Sequence, residues 1–323
     1  MAPSVPLGRR RLGRSGLEVT PLCVGTAPLG DMPEAFGFSV PEERALATLR
    51  AAFASPITFV DTSANYGNGN AERRIGTVLD EIGGLGADRV LATKADRDMA
   101  TGDFSGEQMK RSIEESLQRL GLDRLQFVYI HDPEHTTFER IMAPGGALDT
   151  LQGLQRQGII GDLGISGGPI DMLIRYVETG AFAAVETHNR YTLLNRSALP
   201  LLDIASARGV AVVNAAPYGS GMLAKGPDLV ARYAYQEAPQ PLVDRTRRLA
   251  AICAAHDVPL AAAALQFSLR DPRVASTVVG MTRPERVAQT LSLAAHRIPD
   301  EVWPALDAVG FDMDDPEAGR WAS

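Results

Sequence analysis

Asp61, Tyr66, Lys94 and His131 are polar residues at or just beyond the ends of short runs otherwise suited to burial, TFVDTSANYG, RVLATK and LQFVYIHDP. Buried parallel strands are near-continuously apolar, so a carboxylate, an ammonium and an imidazole at three successive run ends call for a functional account. Together the four can handle a proton. Tyrosine titrates near pH 10, and a lysine ammonium beside it favours the phenolate. Moving its pKa to about 7 takes roughly 4 kcal/mol at about 1.4 kcal/mol per unit, which a cation in a partly desolvated site can supply. Asp61 would keep Lys94 charged and oriented, and His131 would bond a substrate oxygen. Tyr66 would then give or take the proton. Singly, each residue has a plainer use: a turn at Asp61, a solvated charge at Lys94, a rim ring at Tyr66, a loop imidazole at His131. Their joint occurrence favours catalysis.

Such groups meet only if the strands holding them share a mouth. Mainly apolar runs occur at 22–27, 58–62, 89–93, 125–130, 160–165, 183–187, 210–215 and 274–279, with helical stretches between most of them. Between two of these runs, Ser105 and Gln108 form a capping-box pattern. Met109, Ile113, Leu117 and Leu120 follow at helical spacing, and Gly121 stands at the C-cap position. Eight βα units imply a parallel sheet closed into a (β/α)8 barrel, whose strand C-termini carry the chemistry. The expectation is one barrel domain over 1–323 with its core at about 9–311. Ahead of it, RRRLGRSGLEVTPL reads as a β-hairpin plugging the bottom face. Gly219 to Pro241 is too long for an ordinary βα loop and reads as a functional loop over the mouth. A C-terminal helix is followed, after Phe311, by an acidic tail expected to be loose.

The composition fits an ordinary globular protein: 323 residues, 45% hydrophobic and 22% charged. A formal net charge of −7 argues against a nucleic-acid or anionic-membrane partner. Cys23 and Cys253 read as reduced core thiols of a cytoplasmic protein. No signal-peptide core and no stretch long enough to span a membrane is evident. The remaining histidines His135, His256 and His296 read as surface residues.

FVDTSANYGNGNAERRIG, ATK, YIHDP, GISGG, HNRYTLLNR, APYGSGML and VVGMTRPERVAQTL, in that order, resemble the aldo-keto reductase family from about Arg11 to about Phe311. The resemblance implies a barrel that binds an extended nicotinamide cofactor without a Rossmann fingerprint, and hydride transfer that needs no metal. It assigns Asp61, Tyr66, Lys94 and His131 as the catalytic tetrad. It assigns cofactor contacts to Gly25, Thr26, Asp61, Ser166, His188, Pro217, Gly219, Ser220 and Gly221, and to Gly280, Thr282, Arg286 and Gln289. The chain departs from the family pattern at several places. Gly167 stands for a common asparagine and His188 for a glutamine. Ala215 stands where most members stack an aromatic ring on the nicotinamide, a role left to Tyr191 or Tyr218. Gly280 replaces a basic residue of NADP-specific members, although Arg283 can substitute. The expected cofactor is therefore NAD or NADP, with a modest lean to NAD.

Several segments resemble the branch of D-threo-aldose 1-dehydrogenases and pyridoxal 4-dehydrogenases. The resemblance implies oxidation of a small aldose such as L-fucose, D-arabinose or L-galactose at C1, giving the lactone. Ser63, Asn65, Asn68, Asn70 and Asp132 would offer partners for sugar hydroxyls. Pyridoxal, with Trp303 or Tyr191 stacking on its ring, or a general aldehyde or ketone, is the alternative substrate. Two further classes stay open: a Schiff-base lyase using Lys94 as nucleophile, and a redox-sensing cofactor-binding subunit. Oligomeric state is not specified by the sequence.

Overall fold

A computed structural model describes residues 7–321. A short antiparallel hairpin, β1 (Arg10–Arg11) and β2 (Glu18–Val19), comes first. Seven parallel strands follow in chain order: β3 (Leu22–Gly25), β4 (Phe59–Asp61), β5 (Val90–Ala95), β6 (Leu125–His131), β7 (Ile160–Gly167), β8 (Ala184–His188) and β9 (Ala211–Ala215). A small ribbon, β10 (Arg232–Tyr233) with β11 (Gln236–Glu237), precedes the last barrel strand, β12 (Val274–Gly280). β12 pairs with both β9 and β3 and closes an eight-stranded barrel. The structure is thus the (β/α)8 barrel that the eight apolar runs imply.

Successive side chains on a strand alternate between faces, and the core divides accordingly. Val60, Leu91, Val128, Ile130 and Ile165 face outward into the layer shared with the helices. Phe59, Val90, Ala92, Phe127, Tyr129 and Val213 face inward. Leu12 and Val19 of the hairpin join that inner cluster. Arg10 donates to the carbonyls of Leu269 and Val274, before and at the start of β12. The hairpin therefore plugs the bottom, and the C-terminal strand ends are left to form the mouth.

Three local expectations change. Ser105 Oγ accepts from Gln108 N at 3.2 Å, but the Gln108 amide does not return the bond; it donates to Asp96 O at 3.1 Å. Half of the capping box is thereby spent on the segment just beyond Lys94. The 219–241 stretch is an ordered cover, with a short helix at Met222–Lys225 and the β10–β11 ribbon. The acidic tail is docked rather than loose. Asp312 exchanges backbone hydrogen bonds with Leu194 and Arg196, and Glu317 is buried. Its charges are matched by buried arginine, which composition alone does not reveal. Among the described residues, no single helix is long and apolar enough to cross a membrane.

Candidate active site

Inward alternation carries the polar groups to one level. On β4 the inward series is Phe59 then Asp61; on β5, Val90, Ala92, Lys94; on β6, Phe127, Tyr129, His131. Lys94 is fully buried, and its Nζ donates to Asp61 Oδ1 at 2.6 Å, Thr62 O at 3.0 Å and Tyr66 OH at 3.2 Å. Tyr66 reaches it from the turn after β4. Gly67, at φ +60°, fixes that turn: a Cβ there would lie 1.9 Å from Gly30 O. The Tyr66 ring meets His131 edge-on at 5.9 Å. The four residues singled out in the sequence therefore share one constellation.

Two carboxylates that the sequence reading overlooked complete it. Asp96, just past β5, accepts from His131 Nδ1 at 2.6 Å, from Ser63 Oγ at 2.5 Å and from Asn65 N at 3.0 Å. His131 Nε2 lies 3.4 Å from Asp132 Oδ1. Burial disfavours the imidazolium, but Asp132 and Asp96 outweigh it and raise His131 to about 9. His131 is thus a cationic donor at neutral pH. Glu186 on β8 brings Oε1 to 3.5 Å from Lys94 Nζ and accepts from Ser166 Oγ at 3.3 Å.

These charges correct the simple expectation for Tyr66. Burial raises its phenol well above 10; Lys94 pulls it down, while Asp61 and Glu186 push it further up. The isolated protein holds Tyr66 as a proton donor. The Lys94 ammonium is strengthened: burial disfavours it, yet Asp61 and Glu186 raise it well above its ordinary range. A fully buried, three-bonded ammonium is a poor nucleophile, which disfavours the Schiff-base reading.

A cavity of about 490 Å³ opens by the C-terminal ends of β9 and β12, and none of Asp61, Tyr66, Lys94 and His131 lines it. Pro217, Gly219, Ser220, Gly221, Gly280, Thr282, Arg286 and Gln289 all line it, as do Arg44, Lys225, Arg232 and Arg283. Gly219, Ser220 and Gly221 all have positive φ, and Ser220 Oγ accepts from Tyr235 N at 2.8 Å. A cationic lining with a glycine turn suits the phosphates of a dinucleotide, so the residues present fit a nicotinamide cofactor. Gly25, Thr26, Asp61, Ser166 and His188 lie outside that lining, at strand ends. Thr26 Oγ1 donates to Asp61 O at 2.9 Å, and a Cβ on Gly25 would meet Val278 at 2.7 Å.

Other assignments move. Tyr191 packs on Phe267 and donates to Asp271 Oδ2 at 2.5 Å, so it is engaged outside the mouth; Tyr218 lines the cavity instead. Trp303 lies under the Arg270 guanidinium, just before β12 begins, and not at the mouth. Ser63 is committed to Asp96, Asn70 accepts from Arg73, and Asn68 is exposed. Asn65 and Asp132 remain near Tyr66 and His131. His188 Nε2 lies 3.1 Å from Glu317 of the tail, and the same carboxylate accepts from fully buried Arg190 at 2.9 Å. Asp315 binds the other arm of that arginine at 2.6 Å. His135 and His256 are exposed, His296 is half-buried, and both cysteines are free and buried.

Comparison with known proteins gives a concordant picture. Residues 21–310 match the aldo/keto reductase family model. The chain is 34% identical to a D-threo-aldose 1-dehydrogenase from a Pseudomonas species, over 90% of this chain and 94% of that one. It is 31% identical to a pyridoxal 4-dehydrogenase from Microbacterium luteolum, over 94% and 97%. It is 30% identical to an L-galactose dehydrogenase from Arabidopsis thaliana, over 94% and 91%. The fold matches an aldo-keto reductase from Bacillus halodurans in its holo form, with TM-score 0.77, 22% identity, and 97% and 99% of the two chains covered.

Proposed function

The chain belongs to the aldo/keto reductase family and is an NAD(P)-dependent oxidoreductase; from that premise we propose that it oxidises a small aldose at C1 to the lactone. The observation that carries the chemistry is Tyr66 OH at 3.2 Å from Lys94 Nζ, itself 2.6 Å from Asp61. The substrate class is supported by two relatives named for sugar oxidation, and by Asn65, Asp132 and cationic His131 beside Tyr66.

When bound, the nicotinamide takes hydride in oxidation and returns it in reduction. Tyr66 removes the C1 hydroxyl proton in oxidation and supplies it to the carbonyl oxygen in reverse. His131 donates through Nε2 to that oxygen and fixes its direction. Lys94 moderates the charge left on Tyr66, and Asp61 holds Lys94. Ser166 and His188 would hold the carboxamide end, whereas Gly219, Ser220, Gly221 and Arg286, which line the cavity, would hold the phosphates and adenosine. Gly280 offers no charge to a 2′-phosphate, but Arg283 and Arg286 line the same cavity. Both cofactors are therefore used, with a modest preference for NAD.

Steady-state kcat/KM for L-fucose and for pyridoxal, each with NAD and NADP, tests the proposal. L-Fucose with NAD is expected to lead. If pyridoxal wins by about tenfold, roughly 1.4 kcal/mol of transition-state preference, the sugar assignment fails. An NADP preference above about 100-fold, close to 3 kcal/mol, overturns the cofactor assignment.

A further inference from the structure

Glu186 has no part in the tetrad, yet it stands within it. On β8 the inward series is Ala184, Glu186, His188, so its carboxyl enters the barrel one layer below the mouth. Asp61 and Glu186 are only 2% and 5% exposed. Asp61 Oδ1 and Glu186 Oε1 lie 2.6 and 3.5 Å from Lys94 Nζ. Their other oxygens, Asp61 Oδ2 and Glu186 Oε2, are buried without a hydrogen-bond donor. Two acids facing one ammonium, out of water, cannot both comfortably ionise. An orphaned buried acceptor is destabilising, because it has lost its water partners and gained none. A proton between the two carboxyls relieves both penalties.

We propose that Asp61 and Glu186 form one proton-sharing carboxyl pair behind Lys94, and that Glu186 is a positioning residue setting how readily Tyr66 gives up and regains its proton. The other titratable groups facing the pair are Lys94, Tyr66, Tyr129 and Cys23. Burial first, and Glu186 second, push Asp61 up to about 8 against the pull of Lys94, in keeping with a retained proton. In reduction, the Tyr66 O–H bond breaks as its proton joins the carbonyl oxygen, while hydride reaches the carbon. Lys94 passes a proton to the phenolate and takes the pair's proton, leaving two carboxylates. Solvent restores the proton, and oxidation runs the sequence backward. The kinetic consequence rests on the roles proposed for Tyr66 and Lys94; the shared proton does not.

Difference infrared spectroscopy of the free protein tests the pair, comparing wild type with Glu186→Gln and Asp61→Asn in H2O and D2O. The wild type is expected to show a protonated-carboxyl C=O band that fades as pH rises through about 8, and both variants are expected to lack it. In kcat/KM profiles the ionisation of the same midpoint is expected to vanish in Glu186→Gln. A wild-type spectrum without such a band, or a band that titrates unchanged in Glu186→Gln, overturns the proposal. If Glu186→Gln does not fold, the wild-type titration and Asp61→Asn decide it. A band that behaves as described, with no turnover of any sugar or aldehyde, supports the pair while refuting the proposed function.

Discussion

Replacing Asp96 by Asn is expected to take the charge off His131 near neutral pH. The Asp96 carboxylate sits 2.6 Å from Nδ1. His131 is raised from 6.5 to about 9 because Asp132 and Asp96 together overcome burial. At about 1.4 kcal/mol per unit, that rise corresponds to about 3 kcal/mol of preference for the imidazolium. Asp132 is the more exposed partner, at 3.4 Å from Nε2, and it stays in the variant. Loss of an adjacent opposite charge moves a pKa by about 1–3 units, so His131 should fall to the neutral range or below, helped by burial and by Lys94.

An imidazole NMR titration reads that fall directly, and the stability curve reads it independently. A folded-state pKa raised above the unfolded value contributes stability that is fully present below 6.5 and lost as pH rises through about 9. Wild-type unfolding free energy should therefore drop by up to about 3 kcal/mol across that window from this group, and the Asp96→Asn curve should be flatter. Carbonyl reduction by the variant should weaken as pH rises through the new, lower pKa, since neutral His131 is a poorer donor to a developing alkoxide. A His131 resonance that still titrates near 9 in Asp96→Asn would refute the reasoning.

Tyr66→Phe should retain cofactor binding and lose at least about 99% of turnover, because general acid–base catalysis is worth about 10²–10⁴-fold; retention of more than about a tenth of the wild-type rate in steady-state assays counts against the phenol as proton carrier. Glu317→Ala should destabilise the fold by about 3 kcal/mol in urea titrations, the low end for breaking a buried ion pair, since Asp315 keeps one arm of Arg190; a loss below about 0.5 kcal/mol would show that the tail does not secure the mouth.

The barrel was legible because its eight strands are short apolar runs with helical stretches between most of them, and the clustering of the four residues because each ends or closely follows such a run. What escaped was polar residues hidden among others. Asp96 follows Lys94 in ADRD and looks like the start of a hydrophilic loop; only the fold shows that it turns back under His131. Glu186 sits in AVETH, where the eye takes the terminal histidine. Strand parity contained the clue, since Ala184, Glu186 and His188 occupy one face, and a carboxylate at an inward position needs a buried cation. Lys94 was the cation already identified for Asp61.

The tail shows the same logic from the opposite side. An acidic stretch after the last barrel helix is loose if its charges face water, and composition supports no other reading. The deciding residue lies far away, at Arg190. It follows a strand end, and burying its guanidinium without anions would cost several kcal/mol. Asp315 and Glu317 neutralise it, and the second of these also meets His188. A buried arginine whose own segment, HNRYT, supplies no acid must draw one from elsewhere in the chain. Reading charge balance at each inward strand end, rather than along each segment, would have docked the tail before the fold was seen.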